Sequence, residues 1–530
     1  MTNGYALSTA LLVLLAQGHV PGATLHVACA DSGAGCGRAL QAAIDAAPAG
    51  TTITLDAGKV YAGSLVVKAR PNGDGPRAIT ITTRGWTDKG AAWTGLVTPA
   101  DKPRMAVLRG ASRTSAALDI ENGPGAGHVS LIGLAFEATP PAGQGEIIRI
   151  GSGSERDPDN LASHVSIRQV LLQGDREFGQ KRGIAANGAD IDISQIWCEE
   201  IFTPGQDSQC VIGWNGGKRV RIRHSYLAAA SENIMIGGGT ISAAAMQPDD
   251  WLIEDVILHK PLRWKEDGRN RQVKNLLEFK HGRNITARRV LAVNNWRAAQ
   301  DGRGLLINYT TDGRCPACGN LENVIVEDFV MLNSDEGVSL QGHSWQPDSH
   351  SAGKLLDVTL RNLYVHLAIP GRVIEISNVL DRHNIRIERS TFINQGNTWI
   401  VGSYGRAWTD NDTIVDGGPM KGLFVIDNVF ANNGEYGVTA PDGRHFGRGL
   451  GTFADEDLQI AGNVIGDAPD AHLSNYNRAV GKGEANVTVA RDRLVGKLPV
   501  RVCGEWAAGK GADCSRLQPI FGWLERLPEP

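Results

Sequence analysis

From about residue 128 onward, apolar and polar residues alternate in short runs that recur along the chain. Each repeat opens with an apolar–x–apolar triplet, and a second alternating run follows after a bend rich in asparagine, glycine or charge. A period of two sends successive side chains to opposite faces, which predicts β-strands. The triplets begin at Val165, Ile191, Val220, Trp251, Ile285, Val324, Val358, Ile385 and Leu423. Successive starts are 26 residues apart at the closest and 39 at the widest, the range of repeat architectures.

A repeat of this size cannot bury its own apolar face, so it must stack on its neighbours. Unequal repeat lengths argue against a propeller and suit a solenoid, where insertions become loops on one face. We therefore predict an all-β fold, a single-stranded right-handed parallel β-helix. Helical spacing is nearly confined to RALQAAIDAA, Arg38 to Ala47. We expect this helix to plug one open end, and the region beyond about residue 480 to cover the other, because bare strand edges promote aggregation.

The second strand of each coil predicts a row of polar side chains on the outer face. These strands align from Ile234, Leu277, Leu305 or Leu306, Val338, Ile374 and Ile400. Alternation then turns outward Glu278, Lys280, Asn308, Ser339, Gln341, Glu375 and Ser377. Neighbouring coils lie about 4.8 Å apart, so these side chains would form one polar strip. The third alignment is open by one residue, and a slip there would reverse its faces.

Two insertions flank this strip, His259 to Lys274 and Asn294 to Gly304. Both are rich in arginine, lysine or tryptophan, and loops on a rigid scaffold often carry binding residues. Basic side chains with exposed tryptophans suit an anionic ligand that contains rings, since cations pair with carboxylates and indole faces stack on sugars. The predicted substrate-binding residues are Arg263, Trp264, Lys265, Trp296, Arg297, Gln341, His343 and Trp345.

Composition narrows the class of protein. The 530 residues have a formal net charge of -4, which gives no reason to expect nucleic-acid binding. The apolar run from Ala6 to Ala16 is too short to span a bilayer and has the length of a signal-peptide core. A buried N-terminal helix is the alternative. We expect residues 1–23 to be a signal peptide and the protein to be secreted or periplasmic.

The 8 cysteines form four local couples: Cys29 with Cys36, Cys198 with Cys210, Cys315 with Cys318, and Cys503 with Cys514. An even count of close neighbours suits disulfides in an oxidising compartment. The alternative for Cys315 and Cys318, half of a zinc ribbon, lacks a second CxxC motif.

The segment CGRALQAAIDAAPAGTTITLDAGKVYAG, Cys36 to Gly63, resembles the start of the pectate-lyase-like β-helix superfamily. With the coils, the resemblance covers about residues 35 to 470. We therefore predict a parallel β-helix domain over 24–480 and a C-terminal capping segment over 481–530. This superfamily holds lyases, hydrolases, esterases, epimerases and phage tailspikes, so the fold does not fix the function.

LLEFKHGRNI, from Leu276, resembles the lysine-bearing strand of the alginate lyase and chondroitinase B group. That resemblance implies β-elimination on a uronate polysaccharide, with Lys280 as base and Arg303 or Arg297 as acid. Glu278 completes the candidate catalytic set. The group also binds calcium, for which Glu232 and Asn233, with Glu278, are the candidate ligands here. The acids expected just upstream are replaced by Val273, Lys274 and Asn275, so a calcium-free site stays open.

Two other functions stay open. A glycoside hydrolase needs two carboxyls that flank the scissile bond, and Glu232, Glu278, Asp301 and Glu375 are candidates. A non-catalytic glycan-binding or adhesive β-helix would use the same loops without turnover. In each case we expect a monomer whose partner is a polysaccharide, not nucleic acid or a membrane.

Overall fold

The computed structural model describes residues 22–69, 78–141, 143–311, 315–343, 353–379, 381–394, 420–431, 454–466 and 510–528. It also describes short strands at 399–402, 406–408, 414–416, 438–439, 488–490 and 493–495. The predicted signal peptide up to residue 21, Trp345 and Cys503 lie outside the described residues.

Nearly all of the described strands are parallel, and they form two long sheets. The 12-stranded sheet contains β4 (Leu65–Val67), β7 (Leu118–Ile120), β9 (Gly143–Ile150), β11 (Gln180–Ala186), β14 (Gln209–Gly213), β16 (Glu232–Ile236), β18 (Asn275–Phe279), β20 (Arg303–Asn308), β22 (Glu336–Gln341), β24 (Ile374–Ser377), β27 (Trp399–Gly402) and β32 (Val438–Thr439). Each strand pairs in parallel with that of the next coil, so the chain is a right-handed parallel β-helix, as predicted.

The 22-stranded sheet forms the rest of the wall. Its strands are β1 (Thr24–Val27), β2 (Thr52–Leu55), β3 (Val60–Ala62), β5 (Ile79–Thr83), β6 (Ala106–Arg109), β8 (Gly127–Glu137), β10 (Ser163–Gln173), β12 (Ala189–Ser194), β13 (Trp197–Ile201), β15 (Lys218–Ala229), β17 (Asp249–His259), β19 (Gly282–Asn295), β21 (Leu321–Ser334), β23 (Leu355–Leu367), β25 (Asp381–Glu388), β26 (Thr391–Ile393), β30 (Met420–Ile426), β31 (Val429–Ala431), β33 (Ala454–Ala461), β34 (Val464–Gly466), β35 (Thr488–Ala490) and β36 (Arg493–Val495). A separate antiparallel pair joins β28 (Arg406–Trp408) to β29 (Ile414–Asp416).

The long strands turn a corner at one residue with positive φ, so a single strand serves two faces. In β17, β19 and β21 these residues are Asp255, Arg289 and Asp328, with φ between 51° and 54°. A second column of such residues stands near the strand starts: His128, His164, Asp190, Arg219, Asp250, Asn284, Asn323, Asp357 and Asn384. Asn, Asp and His are enriched in this left-handed region, which explains the polar bends that punctuate the sequence.

The predicted repeat alignment is confirmed residue by residue. The nine triplet starts are register partners in sequence, from Val165 with Ile191 to Ile385 with Leu423. Their inward side chains stack into one continuous core. The alignment of the second strands is confirmed for the first five, with Leu305 the correct choice. The sixth is wrong by one residue, because Ile374 pairs with Trp399 and not with Ile400.

The helix α1 (Ala34–Ala46) covers one end of the stack, as predicted. It contacts β1, β3 and β4, the first strands of the two sheets, and buries Leu40 and Ile44 in the core. The described part of the segment beyond residue 480 includes a second helix, α2 (Cys514–Phe521). This helix does not cover an end of the stack. It lies on the outer side of β19 and β21, where Arg516 pairs with Asp328. Neither of the helices described is long and apolar enough to cross a membrane.

The predicted disulfides Cys29–Cys36, Cys198–Cys210 and Cys315–Cys318 are present. Cys514 is also disulfide-bonded, although its predicted partner lies outside the described residues. Cys315 and Cys318 therefore form a closed small loop and not half of a zinc site.

Candidate functional site

The outer face of the 12-stranded sheet carries three rows of side chains. The row at the strand starts holds Arg182, Gln209, Glu232, Asn275, Arg303 and Glu336; the middle row holds Ala185, Ile212, Met235, Glu278, Leu306, Ser339 and Glu375; the last holds Lys280, Asn308, Gln341 and Ser377. The predicted polar strip therefore exists, but apolar residues interrupt its middle row.

Glu278 and Lys280 point the same way, as predicted. Their Oε1 and Nζ atoms are 3.7 Å apart. The side chain of Glu278 is only 2% exposed, whereas that of Lys280 is 13% exposed. Glu278 is therefore buried beside the lysine, and its place among the catalytic residues stays a prediction.

Three consecutive glycines, Gly237 to Gly239, explain how Lys280 fits. A Cβ on Gly238 would lie 2.9 Å from Cδ of Lys280, and one on Gly239 would lie 2.7 Å from Cδ1 of Trp214. Gly237 and Gly238 also have φ of 83° and 95°, which side chains rarely adopt. We name the group Trp214, Gly237–Gly239, Glu278 and Lys280 the lysine corner.

Trp214 was missed by the sequence analysis. It is partly buried and packs against the apolar middle-row residues of its coil. The guanidinium of Arg182 lies 5.2 Å from its ring centroid and donates to Glu146 at 2.9 Å. The glycine triplet Gly237–Gly239 could have pointed to Trp214. It begins at the matching position one coil after Trp214 and one coil before Lys280.

A buried acid lies beside the lysine corner. Glu232 is fully buried, and its Oε2 accepts from Gln209 at 2.7 Å. Its Oε1 and the Oδ1 of its register neighbour Asn275 have no hydrogen-bond partner among the described residues. Burial, and next the nearby Glu278, raise the pKa of Glu232 to about 8.

Two lysines, Lys274 and Lys260, lie near Glu232, which with Glu278 forms a pair of buried acids. Lys274 binds Asp207 at 2.5 Å. Burial lowers the pKa of Lys274, but the negative charges of Glu232 and Asp207 outweigh burial and raise the pKa above its ordinary value. Lys260 is fully buried; burial lowers its pKa, and Glu232 opposes that shift. Perturbed pKa values of this kind are common at functional sites.

The predicted calcium ligands do not fit that ion. Asn233 donates to the carbonyls of Leu227 and His259, at 2.5 and 3.0 Å, so it braces the backbone. Calcium takes six to eight oxygens, whereas the free buried oxygens here are one from Glu232 and one from Asn275. No group of three His, Cys, Asp or Glu side chains in the described part of the chain is arranged to hold a metal.

The predicted acid, Arg303, belongs to an ion-pair network. Its Nη2 donates to Glu375 at 2.6 Å and lies 3.1 Å from Asp301. Its strand β20 is the direct neighbour of β18, which carries Glu278. The role of Arg303 as the acid stays a prediction.

The alternative acid, Arg297, is also held elsewhere. It donates to Glu336 at 2.8 Å, and its backbone N–H donates to Asp335 at 2.8 Å. Arg372 completes this network by donating to Asp301 at 2.9 Å.

The insertion after His259 does not present its tryptophan to solvent. Trp264 is 3% exposed and Trp296 is 9% exposed, and both join the apolar cluster on the outer side of the 22-stranded sheet. Arg263 pairs with buried Glu200, while Nζ of Lys265 lies 5.0 Å from the ring centroid of Trp296. The predicted binding roles of these residues are corrected: cations and aromatic rings fasten the insertion to the helix.

The last predicted binding residues lie further along the face. Gln341 is a buried register partner of Asn308, and the His343 ring lies edge-on to that of His383, with centroids 5.4 Å apart. Neither touches the lysine corner in the contacts described.

No protein-family model matches this chain, and no curated protein matches its sequence. Solved structures do resemble it. What they share with it is the parallel β-helix. An alginate lyase from Paenibacillus sp. str. FPU-7 has 15% identity and a TM-score of 0.36, with 71% of this chain and 95% of that chain covered. The PL6 family alginate lyase AlyGC has 17% identity and a TM-score of 0.47, covering 84% of this chain and 51% of that one.

A third structure, XylC in complex with xylose, has 10% identity and a TM-score of 0.38, covering 89% of this chain and 86% of that one. This chain spans about half the length of AlyGC. At these identities the likeness concerns the fold and does not reach the chemistry.

Proposed function

We propose that this protein is an exported polysaccharide lyase that cleaves an acidic, uronate-containing polysaccharide by β-elimination, with Lys280 as the base. The observation that carries the proposal is the placing of Lys280. Its ammonium lies 3.7 Å from a buried carboxylate on the outer face of the 12-stranded sheet, and its side chain packs closely against Gly238 while 13% of its surface stays exposed. Export is supported by the disulfides, which form in oxidising compartments.

β-Elimination needs few groups. The neutral amine of Lys280 removes the C5 proton of a uronate, C4 and C5 form a double bond, and the C4–O bond breaks with its electron pair leaving on oxygen. The ammonium so formed can return its proton to that oxygen on the same face of the sugar. One lysine thus serves as base and then as acid.

The uronate carboxylate must be neutralised while the C5 proton leaves. Arg182, three coils before Lys280 on the same outer face, lies over Trp214 and would exchange its partner Glu146, now at 2.9 Å, for the uronate carboxylate. The ring of Trp214 gives the sugar an apolar surface beside it. Because the donor set does not fit calcium, no step of this proposal passes through a metal.

Hydrolysis is less well supported by the same geometry. A hydrolase needs two carboxyls on either side of an accessible bond. Glu232 and Glu278 are buried, Glu375 is buried against Arg303, and Asp301 is held between Arg303 and Arg372. Three of the four candidates are therefore buried, and the fourth, Asp301, is 48% exposed and paired with two arginines.

The test is a panel of acidic polysaccharides, such as polymannuronate, polyguluronate, polygalacturonate and a glucuronan, incubated with the full-length protein. Absorbance of unsaturated uronates and reducing ends are read together. Rising absorbance with new reducing ends supports elimination. Reducing ends without absorbance would instead indicate a hydrolase, and binding without either would indicate a glycan-binding protein.

A further inference from the structure

Lys260 has an unusual place for a lysine. It follows β17, its side chain is fully buried, and its Nζ donates to the carbonyls of Ala229, Ala230 and Ser231 at 2.9, 2.7 and 3.0 Å. The Oδ1 of Asn233 lies 3.4 Å from the same nitrogen. Three carbonyls around one nitrogen match the three N–H donors of an ammonium, whereas a neutral amine has only two.

These carbonyls belong to a corner of the coil, where the chain passes from β15 to β16. Two of these carbonyls also accept a backbone N–H from the next coil, Ala230 from Lys274 at 3.4 Å and Ser231 from Asn275 at 2.9 Å, and Lys260 binds their remaining lone pairs. Ser231, the last residue of the corner, directly precedes Glu232. The cation at Lys260 therefore fixes the point at which the site-bearing strand begins.

The next two coils solve the same problem without charge. Lys274 and Gly302 stand directly before Asn275 and Arg303, at the position that Ser231 occupies before Glu232. Asn295 donates to the carbonyl of Lys274 at 2.8 Å. Ser334 donates to the carbonyl of Gly302 at 3.2 Å. Of these three corners, only the one beside the buried acid uses a cation.

From this arrangement we infer that Lys260 is a tethered internal cation. Its ammonium occupies an oxygen-lined site of the kind a bound metal or ammonium ion could fill, so the corner and the acid pair beside it hold together without an added ion. Lys260 is thus a positioning residue for β16 and the lysine corner. The inference concerns folding and ion dependence, and it stands or falls separately from the proposed lyase activity.

The decisive variant is Lys260→Ser, which removes the ammonium and leaves its oxygen ligands. We expect its Tm to fall by several degrees, and to recover as methylammonium chloride is added, because a ligand that binds only the folded state raises Tm in a concentration-dependent way. Tetramethylammonium chloride at the same ionic strength should give no recovery, since it has no N–H donors. The wild-type Tm should respond equally to both salts.

Lys274→Ser is the matched control. It removes a lysine from the same cluster, but one that pairs with Asp207 instead of backbone carbonyls. Its Tm should show no preference for methylammonium. Equal recovery of both variants, or none in a folded Lys260→Ser protein, would overturn the inference.

Two further measurements decide the matter even if Lys260→Ser does not fold. The wild-type Tm should be the same in calcium chloride and in EDTA; a shift of several degrees between them would show that a metal, and not Lys260, holds this region. Lys260→Gln keeps two N–H donors without charge and should be less stable than wild type. Equal stability would show that the charge has no role.

Discussion

Two of the regions that place a cation over an aromatic ring differ in how far the ring is buried. In the insertion after His259, the guanidinium of Arg271 lies 3.9 Å from the Phe202 centroid and 4.4 Å from that of Trp264, and all three are buried. In the lysine corner, Arg182 lies 5.2 Å from the centroid of a Trp214 that is only partly buried.

The difference lies in what covers each ring. The insertion folds back onto the 22-stranded sheet and seals its aromatic residues, with the charge of Arg271 balanced by Glu200 at 3.2 Å. In the lysine corner, Gly238 and Gly239 pack directly against Lys280 and Trp214, and part of both side chains stays exposed. Residue type alone did not show which aromatic ring is sealed; the fold of the insertion did.

The largest effect should follow from Lys280→Ala. If the lysine corner is the active site, this change removes the base and lowers kcat by roughly 10²- to 10⁴-fold on the polysaccharide that the wild type cleaves. The Tm should also fall, because the change leaves the buried Glu278 carboxylate without its ion-pair partner, so kcat is measured at a temperature where both proteins are folded. Lys265→Ala, which removes a lysine from the insertion, should leave kcat unchanged. A similar loss of kcat in both variants would show that the two regions do not differ in function.

Trp264→Ala should act on stability instead of binding. Removing a buried tryptophan costs about 3–5 kcal/mol of unfolding free energy, through lost burial and the cavity left behind. Urea unfolding gives this value, and KM on a long oligosaccharide should stay unchanged once the folded fraction is accounted for. A raised KM at unaltered stability would restore Trp264 as a sugar platform.

Glu232→Gln should change how stability depends on pH. Burial raises the folded-state pKa of Glu232 to about 8 from an ordinary value near 4.5, so the folded protein keeps a proton that the unfolded chain releases. This contribution is complete below pH 4.5 and is lost as pH rises to 8, with a slope of up to about 1.4 kcal/mol per pH unit.

Glutamine keeps the shape of the protonated acid and cannot titrate, so the variant should lack that slope between pH 5 and 8. Unfolding at several pH values compares the two proteins. The charged groups facing Glu232 are Glu278, Asp207, Lys274, Lys280 and Lys260, and they are the same in both. Parallel pH curves would mean that Glu232 is ionised in the fold.

The smallest effect should come from Arg297→Ala. Its side chain is 57% exposed, and an exposed ion pair such as that with Glu336 contributes about 0–1 kcal/mol. Neither Tm nor kcat should change much. A kcat loss comparable with that of Lys280→Ala would return Arg297 to the role of catalytic acid.

The repeat register was predictable because inward apolar side chains must stack coil upon coil. Val165 and its eight successors were aligned from apolar–x–apolar triplets alone, and each pairs with the next in the structure. The same logic placed Lys280 and Glu278 on one face. It failed at Ile400, where the pattern allowed a shift of one residue that only pairing could settle.

The roles of charged residues were less predictable. Arg303 and Trp264 are residue types expected in a sugar-binding cleft. In the structure Arg303 is bound to Glu375, and Trp264 is buried under the insertion. Glu232 was a predicted calcium ligand, and Lys260 was not among the predicted site residues. Their contacts are made across coils, between residues that are far apart in sequence.

The sequence by itself determined the winding, the order of the coils and the side to which each strand residue points, because a period of two leaves little freedom once one face is buried. Tertiary structure alone decided which outward charges remain within reach of a ligand and which are spent on holding loops and corners. That choice depends on how far the insertions fold back and on where glycine leaves space, and neither is written in the alternation of apolar and polar residues.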